Sequence, residues 1–225
     1  MGDRPIVLVG SKLHASLGFE QLVVSAIEYL PLKLDLAPIK ALIFTSKHAP
    51  LALEHQFKNT PTESILKSLP IFALASKSAQ VARDLGFNVY FVGQKGEGLG
   101  FATEIIPLLR ALLPPKSYAL YVRAQTIVSN LDQALIQAQI PLKQCTAYQT
   151  KPLKLPPERK PKPRSILIFG APSAYKAFRA NFDWDRSYTA IALGESTLKS
   201  FDLNIQAFKS PKPTLESSIA LAKTL

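Results

Sequence analysis

LIFTSKHAPLALEHQF at residues 42–57 lies over LIFGAPSAYKAFRANF at 167–182, an offset of 125, with six identities in sixteen positions. In each stretch an apolar run of strand character passes through a short polar turn into apolar residues at helical spacing. A second pair follows in the same order, ALASKSAQVARDLGFNV (73–89) over ALGESTLKSFDLNI (192–205), with a short deletion. One such match is what two unrelated amphipathic βα units produce by chance. Two in order point to two equivalent α/β units in one chain.

Working outward, the alternation covers most of the sequence. Strands are expected at 6–9, 41–44, 71–75, 89–92, 119–122 and 144–148, then at 165–169, 189–193 and 205–208. Helices are expected at 19–30, 47–57, 78–85 (closed by Gly86), 101–113 and 129–139, then at 174–182, 196–201 and 215–222. Strand and helix in alternation mean parallel sheets covered by helices. Two segments break the pattern. LPLKLDL (30–36) and TKPLKL (150–155) alternate apolar and polar residues beside prolines, which suggests two extended connectors, paired as a ladder. The expected architecture is therefore α/β and bilobed: two parallel-sheet, three-layer α/β domains on a two-stranded extended linker. One domain is discontinuous (1–34 plus 156–225), the other inserted (37–150), with linkers at 30–37 and 148–164.

Composition narrows the function classes. The chain has 225 residues, 47% hydrophobic and 19% charged, which suits a globular protein with a substantial core and excludes a disordered one. No apolar run approaches the ~18 residues that span a bilayer, and the N-terminus does not read as a signal peptide. A single cysteine, Cys145, excludes an intrachain disulfide and reads as a core thiol in a reducing, cytoplasmic setting. The net charge of +11 points to an anionic partner. Residues 151–164, KPLKLPPERKPKPR, carry six basic residues, one acidic residue and five prolines. They read as an extended solvated connector or, alternatively, as a polyanion-binding tail.

Catalytic signatures are sparse. There are three histidines (His14, His48, His55), no HExxH and no Cys/His cluster, so no metal site is expected. His48 and His55 read as exposed helix residues. GQKGEGLG (93–100) sits where a phosphate loop would, but lacks Gly-Lys-Ser/Thr and the acidic residue ~20 positions on, so a loop competes with a nucleotide site. A stronger signal recurs four times. Thr45-Ser46-Lys47, Ser76-Lys77-Ser78, Ala171-Pro172-Ser173 and Gly194-Glu195-Ser196-Thr197 each follow a strand and open a helix. Hydroxyl residues there leave backbone N–H groups and the positive helix end facing outward, although plain N-capping uses the same residues. Four such loops, at the ends of parallel strands where ligands bind, suggest an anion-binding cleft.

IFTSKHA (43–49), ALASKSAQVARDLGF (73–87), TAYQT (146–150), LIFGAPSAYKAF (167–178) and AIALGESTLKSF (190–201) resemble, in order and spacing, the uroporphyrinogen-III synthase family. Gly10-Ser11-Lys12 departs from the Thr-Arg-Pro of many bacterial members, leaving Lys12 to supply positive charge there. The resemblance implies a cyclising hydro-lyase without cofactor or metal. It would convert hydroxymethylbilane, a linear tetrapyrrole with eight carboxylates, into uroporphyrinogen III with loss of water and inversion of ring D. It also implies Tyr148 as the group that hydrogen-bonds or protonates the departing hydroxyl, beside the plainer reading of a packed strand tyrosine. Ser46, Ser173 and Thr197 match family residues and are assigned to carboxylate binding, with Thr45, Lys47, Ser76, Lys77, Ser78 and Ser196 alongside. Arg123 is a further carboxylate clamp on chemical grounds. The protein is expected to be a cytoplasmic monomer in transient contact with the preceding deaminase, binding neither nucleic acid nor membrane. The competing readings are a non-catalytic bilobed anion-binding protein and a nucleic-acid-binding protein using 151–164.

Overall fold

The computed structural model describes residues 4–13, 18–127 and 129–225; His14 lies outside the described residues. In chain order the elements are β1 (Ile6–Gly10), β2 (Glu20–Val23), β3 (Ser25–Tyr29), β4 (Ile39–Phe44), α1 (His48–Phe57), α2 (Pro61–Ser68), β5 (Ile71–Ala73), α3 (Ser76–Asp84) and β6 (Val89–Val92). Then follow α4 (Gly98–Leu112), β7 (Tyr118–Ala124), α5 (Leu131–Gln137), β8 (Leu142–Pro152), β9 (Ile166–Phe169), α6 (Pro172–Asn181), β10 (Thr189–Ala192), α7 (Glu195–Leu198), β11 (Ala207–Lys209) and α8 (Leu215–Ala222). The chain forms two compact units, Glu28–Gln149 and the discontinuous Met1–Ile27 with Thr150–Leu225.

The inserted unit carries the sheet β3-β8-β7-β4-β5-β6. From β6 to β8 its strands are parallel, Leu42 facing Ile71 on one side and Leu120 on the other. Ala41, Ile43, Phe72 and Tyr121 pack with Phe101, Ile105 and Leu109 of α4 and Leu131 and Leu135 of α5. Helix α1 packs against β7, α2 and α3, with Ala49, Ala52 and Leu53 buried. The discontinuous unit carries β11-β10-β9-β1-β2, parallel throughout. Val7, Val9, Leu167 and Phe169 face α6 through Tyr175 and Phe178, while Leu8, Ile168 and Ile191 pack near α8. Each sheet is thus sandwiched between helices, as continuous apolar strands require.

Three expectations change. Residues 19–30 are not a helix but hold β2 and the whole of β3. Val23, Val24 and Ile27 are β-branched and favour pleated structure, and the Val24 N–H donates to the Gly10 carbonyl. The ladder between the connectors forms one step earlier than 30–36 with 150–155. Leu30 N–H donates to Ala147 O and Leu153 N–H to Val24 O, so 24–30 and 147–153 run antiparallel. Segment 30–36 instead lies along α1, where the Gln56 amide donates to Leu32 O and accepts from Leu32 N–H. Helix α2 was not expected at all, although Pro61 at its start and Glu63, which accepts from Asn59 N–H, are ordinary start signals.

The basic stretch 151–164 is tied to the discontinuous unit. Asn181 donates to Leu153 O and accepts from Leu155 N–H, Tyr188 donates to Pro161 O, and Arg4 donates to Arg164 O. The glycine-rich stretch is explained by packing. A Cβ on Gly98 would lie 2.5 Å from Ser129 Cβ, and one on Gly93 would lie 2.6 Å from Leu74 O.

Candidate functional site

In the inserted unit the chain runs from β4 outward through β5 and β6, then returns to the other side of β4 for β7 and β8. The loops after β4 and β7 therefore leave adjacent strands in opposite directions, which opens a crevice at the carboxyl ends of the sheet. Thr45 and Ser46 occupy the first loop, Ser129 the second, and Tyr148 the neighbouring strand.

These side chains form a hydroxyl cluster. Thr45 Oγ1 lies 3.0 Å from Tyr121 Oη, which also bonds to the Ser129 side chain. Tyr148 hydrogen-bonds to the Ser46 side chain, whose Oγ accepts from His48 N–H at 3.2 Å and so begins α1. The His48 ring lies 5.7 Å from that of Tyr148. His48 is thus half-buried beside the cluster rather than exposed, because it sits in the first turn of α1. His55, two turns on, is exposed against Tyr29. Burial holds both the Tyr121 and Tyr148 phenols above their ordinary range, partly offset by their hydroxyl partners. Both remain protonated at neutral pH and so have a proton to donate.

Arg123 ends β7 half-buried. Its Nη1 donates to Ala124 O and Gln125 O, while its buried Nε has no hydrogen-bond partner among the described residues. Lys47 is half-buried at the N-cap of α1. Burial pushes the nearby Cys145 thiol up to about 12, so it is not a nucleophile at neutral pH. Ser76 and Lys77 are exposed on α3, whereas Ser78 is buried and donates to Ala75 O, closing its own helix start.

In the discontinuous unit β1 has β2 on one side and β9, β10 and β11 on the other, so the switch point lies between β1 and β9. A cleft of about 280 Å³ opens there, lined by Ser11, Lys12, Ser25, Ser173, Leu193 and Leu215 among others. Ser173 is exposed in it. Ser196 and Thr197 belong to the four-residue α7 and do not line it; Ser196 is exposed and Thr197 buried. Among the described residues no group of three or more His, Cys, Asp or Glu is placed to hold a metal ion.

Residues 11–220 match the family HEM4, uroporphyrinogen-III synthase HemD. The chain belongs to the uroporphyrinogen-III synthase family. Among solved structures, a uroporphyrinogen-III synthetase from Helicobacter pylori is 37% identical, with a TM-score of 0.83 over 98% of this chain and 99% of that one. A mutant uroporphyrinogen III synthase from Thermus thermophilus shares the fold at 17% identity, with a TM-score of 0.54 over 96% of each chain. Among curated proteins no relative matches. The family places the chain in tetrapyrrole biosynthesis as a cyclising enzyme.

Tyr121 and Ser129 were missed by sequence reasoning. Tyr121 stands inside an apolar strand and reads as core. Its hydroxyl acquires meaning only once Thr45, in the loop after β4, lies across from it.

Proposed function

We propose that the chain closes hydroxymethylbilane to uroporphyrinogen III as a hydro-lyase, with Tyr148 as the proton donor to the departing hydroxyl. The observation that carries this is a buried, protonated phenol, held by Ser46 at the carboxyl end of the sheet, in a member of this family. The phenol gives its proton as the C–O bond breaks and water leaves, and the electron-rich pyrrole releases the electron pair for that departure. Ring D attacks through its substituted α-carbon to give a spiro intermediate, the bond from that carbon to the bridge from ring C then breaks, and re-closure at the other α-carbon of ring D leaves the ring inverted. The proton lost when the pyrrole of ring D regains its aromaticity returns to the Tyr148 oxygen, so no further acid or base is consumed. Positioning a long flexible substrate supplies much of the acceleration, which suits a site built of hydroxyls and backbone amides.

Thr45, Ser46, Lys47, Arg123 and Ser173 are assigned to the substrate's carboxylates, with Ser76, Lys77, Ser196 and Thr197 at the margins. The reading includes a cytoplasmic monomer that receives substrate transiently from the deaminase preceding it. No helix among the described residues is long and apolar enough to cross a membrane. The test is an isomer assay: hydroxymethylbilane is generated enzymatically, the protein added, and the oxidised uroporphyrins separated. Unassisted closure gives the type I isomer. Predominant type III is expected, and type I alone from folded protein would overturn the reading.

A further inference from the structure

Tyr121 is a polar residue in an apolar place. It is fully buried in β7, packed with Ile43, Phe101, Leu131 and Leu135. Phenylalanine would fill the same space and spare the core an oxygen, whose burial is costly unless it is hydrogen-bonded. What the oxygen does is join two loops. Ile43 lies beside Tyr121 in register, so Thr45, two residues on and just past the end of β4, falls on the same face and comes to 3.0 Å from Tyr121 Oη. The second partner, Ser129, stands in the loop between β7 and α5. The phenol therefore ties the loop after β4 to the loop after β7, the two that border the crevice.

The tie is anchored at one end and useful at the other. Gly98, the first residue of α4, packs directly on Ser129, where a Cβ would lie 2.5 Å from Ser129 Cβ. The glycine-rich stretch thus provides the seat for Ser129. At the other end Thr45 precedes Ser46, whose Oγ accepts from His48 N–H and whose side chain bonds to the Tyr148 phenol. A reacting group has to be held to within about 0.5 Å of its productive place by neighbours that are themselves locked. We propose that Tyr121 is a positioning residue for the reaction: by clamping the two crevice loops together, its hydroxyl holds Ser46 where it presents the Tyr148 phenol to the substrate. Tyr121 itself touches no reacting atom. The clamp stands on the hydrogen bonds alone; its effect on turnover rests on the donor role given to Tyr148 above.

Tyr121→Phe keeps the ring and removes only the hydroxyl, and Ser129→Ala removes one of its two partners. In the isomer assay Tyr121→Phe lowers kcat about tenfold with KM held, and Ser129→Ala lowers it less. In a Tyr148→Phe background the same Tyr121→Phe change lowers kcat less than about twofold, because the group it positions is gone. A general structural defect would cut kcat equally in both backgrounds. That result, a raised KM with kcat held, or full turnover in Tyr121→Phe would overturn the proposal. Amide hydrogen exchange reads the clamp without turnover. The His48 N–H, bonded to Ser46 Oγ, exchanges about fivefold faster or more in Tyr121→Phe, while the Ile71 N–H, bonded to Asn88 O on the far side of the sheet, keeps its wild-type rate. If wild-type protein makes no type III isomer, the synthase reading fails and His48 exchange alone decides the clamp: faster exchange sustains it, unchanged exchange overturns it. If Tyr148→Phe keeps full turnover, the donor reading fails and takes the catalytic role of Tyr121 with it. If type III forms and Tyr148→Phe is slow, but Tyr121→Phe matches wild type in rate and in His48 exchange, the clamp fails alone.

Discussion

Replacing Tyr148 by phenylalanine removes one oxygen from a side chain that is 6% exposed and leaves its ring against His48. On stability, the loss is one neutral hydrogen bond, to Ser46, about 0.5–1.5 kcal/mol. On catalysis, the loss is a donor to an oxygen that gains negative charge as the C–O bond breaks. Such a contact strengthens in the transition state and contributes about 1–3 kcal/mol, or about five- to 150-fold in rate. The expected variant is folded, with a urea midpoint slightly below wild type, a KM unchanged and a kcat reduced within that range. Because burial holds the phenol above its ordinary range, the alkaline decline of the wild-type kcat begins at higher pH than an ordinary phenol would give. The assay is initial rate of type III formation by chromatography, corrected for unassisted closure, at several substrate concentrations and pH values. Full turnover in Tyr148→Phe would remove the phenol from the mechanism, and so would a fall in rate matched by an equal loss of folded protein.

Four other outcomes are expected. Gly98→Ala drives a methyl to 2.5 Å from Ser129 Cβ, so it lowers stability by about 1–3 kcal/mol in denaturant unfolding; an unchanged midpoint contradicts the packing account. Asn181→Ala breaks the bonds to Leu153 O, Leu155 N–H and Ala177 O and costs about 2–3 kcal/mol, with the 153–155 backbone amides exchanging faster. Neutralising Lys160, Lys162 and Arg164 together changes turnover less than twofold, whereas a large loss would revive the polyanion reading of that stretch. Finally, burial pushes the Tyr175 and Tyr188 phenols and the Cys145 thiol up to about 12, from ordinary values of 10.0 and 9.0. The unfolded chain sheds these protons first, so it binds fewer than the native state and stability falls as pH rises from about 9 towards 12. A urea midpoint flat over that interval would refute the assignment.

What the sequence made legible follows from periodicity. The paired stretches at 42–57 and 167–182 became β4–α1 and β9–α6, because buried parallel strands and amphipathic helices leave unlike apolar patterns. Residues 19–30 misled because Phe19, Leu22, Val23, Ala26, Ile27 and Leu30 also fit helical spacing, and only tertiary pairing decides between the two. At the site, the hydroxyl-rich turns stood out, and Thr45, Ser46 and Tyr148 do gather at strand ends. What letters cannot convey is the state of a hydroxyl. Ser78 closes its own helix while Thr45 bonds to Tyr121 across the sheet, a difference set by neighbours far away in sequence. His48 was misplaced for the same reason, since its environment depends on β8, one hundred residues later.

The interrupted unit has a consequence for how the chain acquires its structure during synthesis. Strand β1 finds its partner β9 160 positions later, Val7 beside Leu167. The intervening Glu28–Gln149 is contiguous and needs no later residue to complete itself. Once it has folded, the Leu30–Ala147 bond holds its two ends together, and the effective loop between Val7 and Leu167 shrinks to about 40 residues. By the logarithmic closure law this lowers the entropy cost of joining β1 to β9 by about 1 kcal/mol. Until β9 emerges from the ribosome, β1 carries an unpaired apolar edge of the kind that seeds aggregation. Early completion of the insert is therefore a timer on the exposure of that edge. Mutations confined to the insert should lower soluble yield through a strand they never touch.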